Sequence, residues 1–70
     1  MRRGRVKWFD ATKGYGFIED EHGLEVFVHF TAIQEERFRT LEQGCEVYFA
    51  SVSGEKGPKA IKVIKVKASQ

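Results

Sequence analysis

Two runs, Tyr15-Gly16-Phe17-Ile18 and Glu25-Val26-Phe27-Val28-His29, alternate with period two on either side of a short polar segment. Period two is the spacing of a strand, whose successive side chains point to opposite faces. The two runs therefore predict a hairpin. Its even positions, Ile18, Val26 and Val28 with Gly16, form an aliphatic face suited to a core. Tyr15, Phe17, Phe27 and His29 are left on the other face, turned to solvent. Soluble monomers seldom expose contiguous aromatic surface without a use for it. With Lys7, Trp8 and Lys13 close by in sequence, this face has the composition of a platform on which nucleic-acid bases stack.

The remaining sequence supplies three more strands and no convincing helix. Strands are predicted over 2–10, 15–19, 25–29, 45–52 and 59–66. In the first, strict alternation would sort Val6 with Trp8 and Lys7 with Phe9, a poor division that predicts a bulge near Lys7 or Trp8. Asp10 is placed to form an Asx turn, with Gly14 free to take a positive φ. Gly16 inside a strand signals close approach of a neighbouring backbone or a barrel corner. The run Glu19-Asp20-Glu21 reads as a solvated face, and residues 31–33 as one short helical turn. In the fourth strand Val47 and Phe49 point inward, Glu46 and Tyr48 outward; Ser51 interrupts the pattern, so a bulge is expected to turn Val52 inward. Residues 53–58 read as a loop. Five short strands in 70 residues predict an all-β fold, economically closed into a small barrel that hides its edges.

Seventy residues bound a single domain near the lower limit for an unaided core, burying about 60% of the unfolded surface. Cys45 is the only cysteine, which excludes an intrachain disulfide and reads as a small, partly buried hydrophobe. One cysteine and two histidines do not make a zinc site, and no cofactor is implied. No apolar run reaches membrane-spanning length and no leader opens the chain, so a cytoplasmic monomer is expected. The net charge of +2 is mild, but its distribution is not. Arg2, Arg3, Arg5, Lys7 and Lys13 crowd the first segment, and Lys56, Lys59, Lys62, Lys65 and Lys67 the last, with acids between. Lys7 and Lys13, among exposed rings, are read as phosphate contacts.

Gly4-Arg5-Val6-Lys7-Trp8-Phe9, Lys13-Gly14-Tyr15-Gly16-Phe17-Ile18 and Val26-Phe27-Val28-His29-Phe30 resemble the hallmark segments of the bacterial cold-shock protein family. So do Phe38-Arg39-Thr40-Leu41 and Lys56-Gly57-Pro58-Lys59-Ala60, and the resemblance covers nearly the whole chain. It implies a five-stranded antiparallel OB-type barrel that binds single-stranded RNA and DNA, often as an RNA chaperone. The binding set it implies is Lys7, Trp8, Lys13, Tyr15, Phe17, Phe27, His29, Phe30 and Phe38, with Lys56 on a loop. Asp10 stands where that family usually has asparagine, Lys59 where glutamine is usual, Lys62 where asparagine is usual, and Glu25 for a frequent aspartate. Asp10, Glu25 and Lys59 join the candidate set because they border the platform and bear on base preference.

Other function classes fit less well. An RNA-recognition motif shares the aromatic strand but needs two crossover helices. Gly14 and Gly16 lack the third glycine and following helix of a dinucleotide fingerprint. No serine or cysteine lies paired with a histidine and no acidic cluster has metal spacing, so neither enzyme chemistry nor a small-molecule substrate is expected. The strongest rival is a small barrel whose aromatic face grips proline-rich peptide.

Overall fold

The computed structural model describes residues 1–35 and 39–66. Five strands, β1 (Arg2–Asp10), β2 (Tyr15–Asp20), β3 (Glu25–His29), β4 (Glu46–Gly54) and β5 (Gly57–Lys65), close into a barrel in the order β1-β2-β3-β5-β4. A 3-10 turn, Phe30–Ala32, follows β3. Neighbouring strands run antiparallel except β3 and β5, which are parallel and register at Phe27 with Lys59. The all-β barrel expected from the alternation is therefore present, with one parallel seam in place of a wholly antiparallel sheet. Among the described residues no helix is long and apolar enough to cross a membrane.

The period-two faces sort as the alternation requires. Ile18, Val26, Val28, Val47, Phe49 and Val63 are fully enclosed, with Val6, Ala60, Ile33 and Leu41 around them. Phe9 and Cys45 pack against this core from its margin. The bulge in β1 lies between Val6 and Trp8, with Lys7 as the extra residue. It lets Val6 face inward while Lys7 and Trp8 both face out, a division that strict alternation forbids.

Three strands, β2, β4 and β5, have bounds other than those expected. β2 gains Asp20, whose backbone is held by the turn to Leu24 (Asp20 N–H to Leu24 O, 2.9 Å). β4 starts at Glu46 and continues to Gly54, and β5 starts at Gly57. The expected loop over 53–58 shrinks to the turn Glu55-Lys56, because Ser53 pairs with Pro58 and Gly54 with Gly57.

Val52 is a second correction. It is 47% exposed, not turned inward. The register does shift beside Ser51, but the extra residue is Ile61 on β5, since Ala50 pairs with Lys62 and Ser51 with Ala60. β4 keeps its own parity through Ser51, so Val52 stays on the outer face.

Asp20 is the third correction: it is buried rather than solvated. Its Oδ1 accepts from the backbone N–H groups of His22 (2.8 Å) and Leu24 (2.9 Å), and its Oδ2 from Arg2 Nη1 (3.3 Å). The Leu24 hydrogen bond, then that of His22 and the charge of Arg2, hold this carboxyl below its ordinary range against the opposing effect of burial. Much of the basic N-terminal cluster is likewise engaged internally. Arg3 (2.8 Å) and Arg5 (3.4 Å) both reach Glu46 on β4.

Candidate nucleic-acid interface

The outer faces of β2 and β3 form a ladder. Tyr15 lies opposite His29 and Phe17 opposite Phe27. Trp8 on β1 lies opposite Phe17, so one row crosses three strands as Trp8, Phe17 and Phe27. The rings touch their neighbours in a closed circuit: Trp8 with Tyr15 (6.0 Å between centroids), Tyr15 with Phe27 (5.9 Å), Phe27 with Phe17 (5.7 Å) and Phe17 with Trp8 (5.5 Å). Tilted and edge-on pairs of this kind are the favoured aromatic geometries. Mutual packing leaves Tyr15, Phe17, Phe27 and His29 half-buried rather than fully solvated, while Trp8 is 39% and Phe30 38% exposed.

Two glycines make this row possible. A Cβ on Gly16 would lie 2.2 Å from Trp8 O and 2.6 Å from the Cα of Phe9, so only glycine lets β1 and β2 approach here. Gly14 adopts φ 81°, and a Cβ there would meet Cδ1 of Phe30 at 2.8 Å. The Phe30 ring thus lies across bare backbone, with its N–H donating to Gly14 O at 2.8 Å. It pairs with His29 at 4.7 Å, and His29 Nδ1 sits 3.0 Å from Thr31 Oγ1, capping the 3-10 turn.

Asp10 closes the turn that sets Gly14. Its Oδ1 accepts from the N–H groups of Thr12 (2.9 Å) and Lys13 (3.0 Å). The Asx turn expected at this position is formed, and it fixes the Lys13 backbone beside the platform. Lys13 is exposed, as are Lys56 in the β4–β5 turn and Lys59, which registers with Phe27 across the parallel seam. No ion pair to these three lysines is seen among the described residues.

Lys7 differs from the expectation of a lysine free for phosphate. Its Nζ pairs with Glu25 Oε2. That hydrogen bond first, then the charges of Glu25 and Glu19, hold the ammonium above its ordinary range. Two members of the expected set, Lys7 and Glu25, are therefore brought together as partners. Sequence reading did not find this pair, because it depends on the register of three strands. Phe38 lies outside the described residues.

The geometry can be set beside known proteins. A family model described as "'Cold-shock' DNA-binding domain" matches residues 2–66. The cold shock protein CspB of Bacillus caldolyticus is 62% identical over 66 residues, covering 94% of this chain and 100% of that protein. CspB of Geobacillus stearothermophilus is 61% identical over the same shares, and the cold shock-like protein CspC of Bacillus cereus is 55% identical over 91% of this chain and 98% of its own length.

Proposed function

This chain belongs to the cold-shock DNA-binding domain family, and from that premise we propose that it binds single-stranded RNA and DNA by stacking unpaired bases on Trp8, Phe17, Phe27, His29 and Phe30. The observation that carries the reading is the row of touching rings across β1, β2 and β3, outward-facing and bordered by exposed lysines. Every base has a π-face, so a ring platform tolerates sequence, while duplex bases are already stacked and offer none. Lys13, Lys56 and Lys59 are assigned to backbone phosphates, and Tyr15 to the platform's edge. Phe38 and Asp10 complete the set, with Asp10 acting through the turn it closes.

A protein that takes only open strands pulls pairing equilibria toward them by mass action. That is the physical content of an RNA-chaperone role. In this reading the protein works as a cytoplasmic monomer.

Titrating Trp8 fluorescence with oligo-dT, oligo-dA and a duplex tests the proposal. Both single strands should quench Trp8 and the duplex should bind far more weakly. Log affinity should fall with log salt at about −0.7 per neutralised phosphate. Equal affinity for the duplex, or quenching by oligoproline peptide but not by oligo-dT, rejects it in favour of a different ligand.

A further inference from the structure

The ladder on β2 and β3 has a third rung. Beyond Tyr15–His29 and Phe17–Phe27 comes Glu19–Glu25, two carboxylates directly opposite each other. Like charges so placed repel across a sheet. Lys7, the extra residue of the β1 bulge, lies where it offsets them, bonded to Glu25 and within the field of Glu19. It also directly precedes Trp8, whose ring meets Phe17. The side chains of Lys7 and Glu25 are 45% and 46% exposed, so the pair is open to a ligand arriving on the platform. The lysine at this end of the row of rings is thus already occupied by an internal anion. Lys13, Lys56 and Lys59 are not so engaged among the described residues.

We infer that Glu25 is a built-in competitor for the nucleic-acid backbone, occupying Lys7 until a phosphate displaces it. The inference rests on the single-strand-binding function proposed above. A phosphate that takes Lys7 strips Glu25 of its ion-pair partner and leaves it opposite Glu19, whose cross-strand neighbour Arg5 is bonded to Glu46, so this contact is worth less than one to a free lysine. A strand running past the Phe17–Phe27 rung also meets the two carboxylates of Glu19 and Glu25. The platform consequently grips phosphates firmly on the Lys13 and Lys59 sides and weakly on the Lys7 side.

A double-mutant cycle with Glu25→Gln and Lys7→Gln, read as oligo-dT affinity by Trp8 fluorescence at two salt concentrations, tests this. Circular dichroism melts confirm that each variant is folded. Glu25→Gln should tighten binding about two- to fivefold at low salt, the range that an exposed ion pair supports. The gain should shrink as salt shortens the screening length. Lys7→Gln should cost more affinity in the Glu25→Gln background than in the parent, because only there is the lysine free. An additive cycle in a parent that binds overturns this inference alone. Weaker binding by Glu25→Gln overturns it too and makes the carboxylate a direct ligand contact. A parent that does not bind oligo-dT overturns the proposed function and this inference with it.

Discussion

Phe17 and Ile18 are adjacent in β2 and face opposite ways, so truncating each in turn separates what the two faces do. Ile18 is fully enclosed and registers with Val6 and Val26 on its flanking strands. Its Cγ2 already lies 2.8 Å from where a Gly4 Cβ would stand, so the site has little slack. Ile18→Ala should cost about 2–5 kcal/mol, the lost transfer energy plus the cavity left behind. A chain of this size has a total of roughly 3.5–10 kcal/mol, at about 0.05–0.15 per residue. The variant should therefore be severely destabilised or unfolded. Phe17 is only half-buried, and its removal opens a gap to solvent rather than a cavity. It loses ring contacts with Trp8 and Phe27, each worth about 0.5–1.5 kcal/mol. It should also weaken binding by about 1–3 kcal/mol for one stacked base, a loss that Ile18→Ala has no direct reason to cause. Urea unfolding followed by far-ultraviolet circular dichroism measures the first quantity, and oligo-dT titration at fixed salt the second. Circular dichroism is the right probe because the Phe17 change alters Trp8 emission directly. If Phe17→Ala unfolds the domain and Ile18→Ala does not, the two faces are inverted and the reasoning fails.

Three further outcomes are expected. Gly16→Ala should destabilise by about 1–3 kcal/mol or more through overpacking against the Trp8 and Phe9 backbone, and should weaken oligonucleotide binding by parting Trp8 from Phe17; unchanged melting and affinity would refute the close approach. Asp20, whose carboxyl is held below its ordinary 3.8 in the fold, contributes stability that is full above that value and lost as pH falls through the depressed one. Asp20→Asn should accordingly lower Tm at neutral pH, with the gap from the parent closing below pH 3.8; a gap independent of pH would mean the charge is irrelevant. Asp10→Asn preserves the Oδ1 acceptor for Thr12 and Lys13 and should leave Tm unchanged, whereas Asp10→Ala should cost about 1 kcal/mol. If Asp10→Asn also favours oligo-dT over oligo-dC by about 0.5–1 kcal/mol, the side chain reads bases as well as closing the turn.

What the sequence revealed depended on how far apart the responsible residues lie. The faces of β2 and β3 were legible because alternation is a local property; Ile18, Val26 and Val28 fall inside as their parity requires. The β1 bulge was legible as a conflict between Val6 and Trp8, and the Asp10 turn as side-chain chemistry acting two and three residues on. Val52 was misjudged because a bulge needs two strands to define it. The interruption at Ser51 was visible, but the extra residue, Ile61, belonged to the partner strand. Asp20 looked like its acidic neighbours, and what buries it is a turn amide four residues away and Arg2 eighteen positions back. The Lys7–Glu25 pair and the shared use of Glu46 by Arg3 and Arg5 likewise follow from register, which no stretch of sequence states by itself.

The closed circuit of ring contacts among Trp8, Tyr15, Phe27 and Phe17 bears on where the entropy of association falls. Each ring is wedged between two others before any ligand arrives, so the protein has little side-chain freedom left to surrender. A site organised in advance avoids the ordering cost that loose side chains impose on binding. On the proposed function, the ordering cost at the rings then falls mainly on the nucleic acid, which must give up its pairing and its flexibility to lie along the row. Affinities for a set of strands should consequently rank them by how much internal structure each must relinquish. On that function, a barrel whose rings are packed in this way gauges single-strandedness.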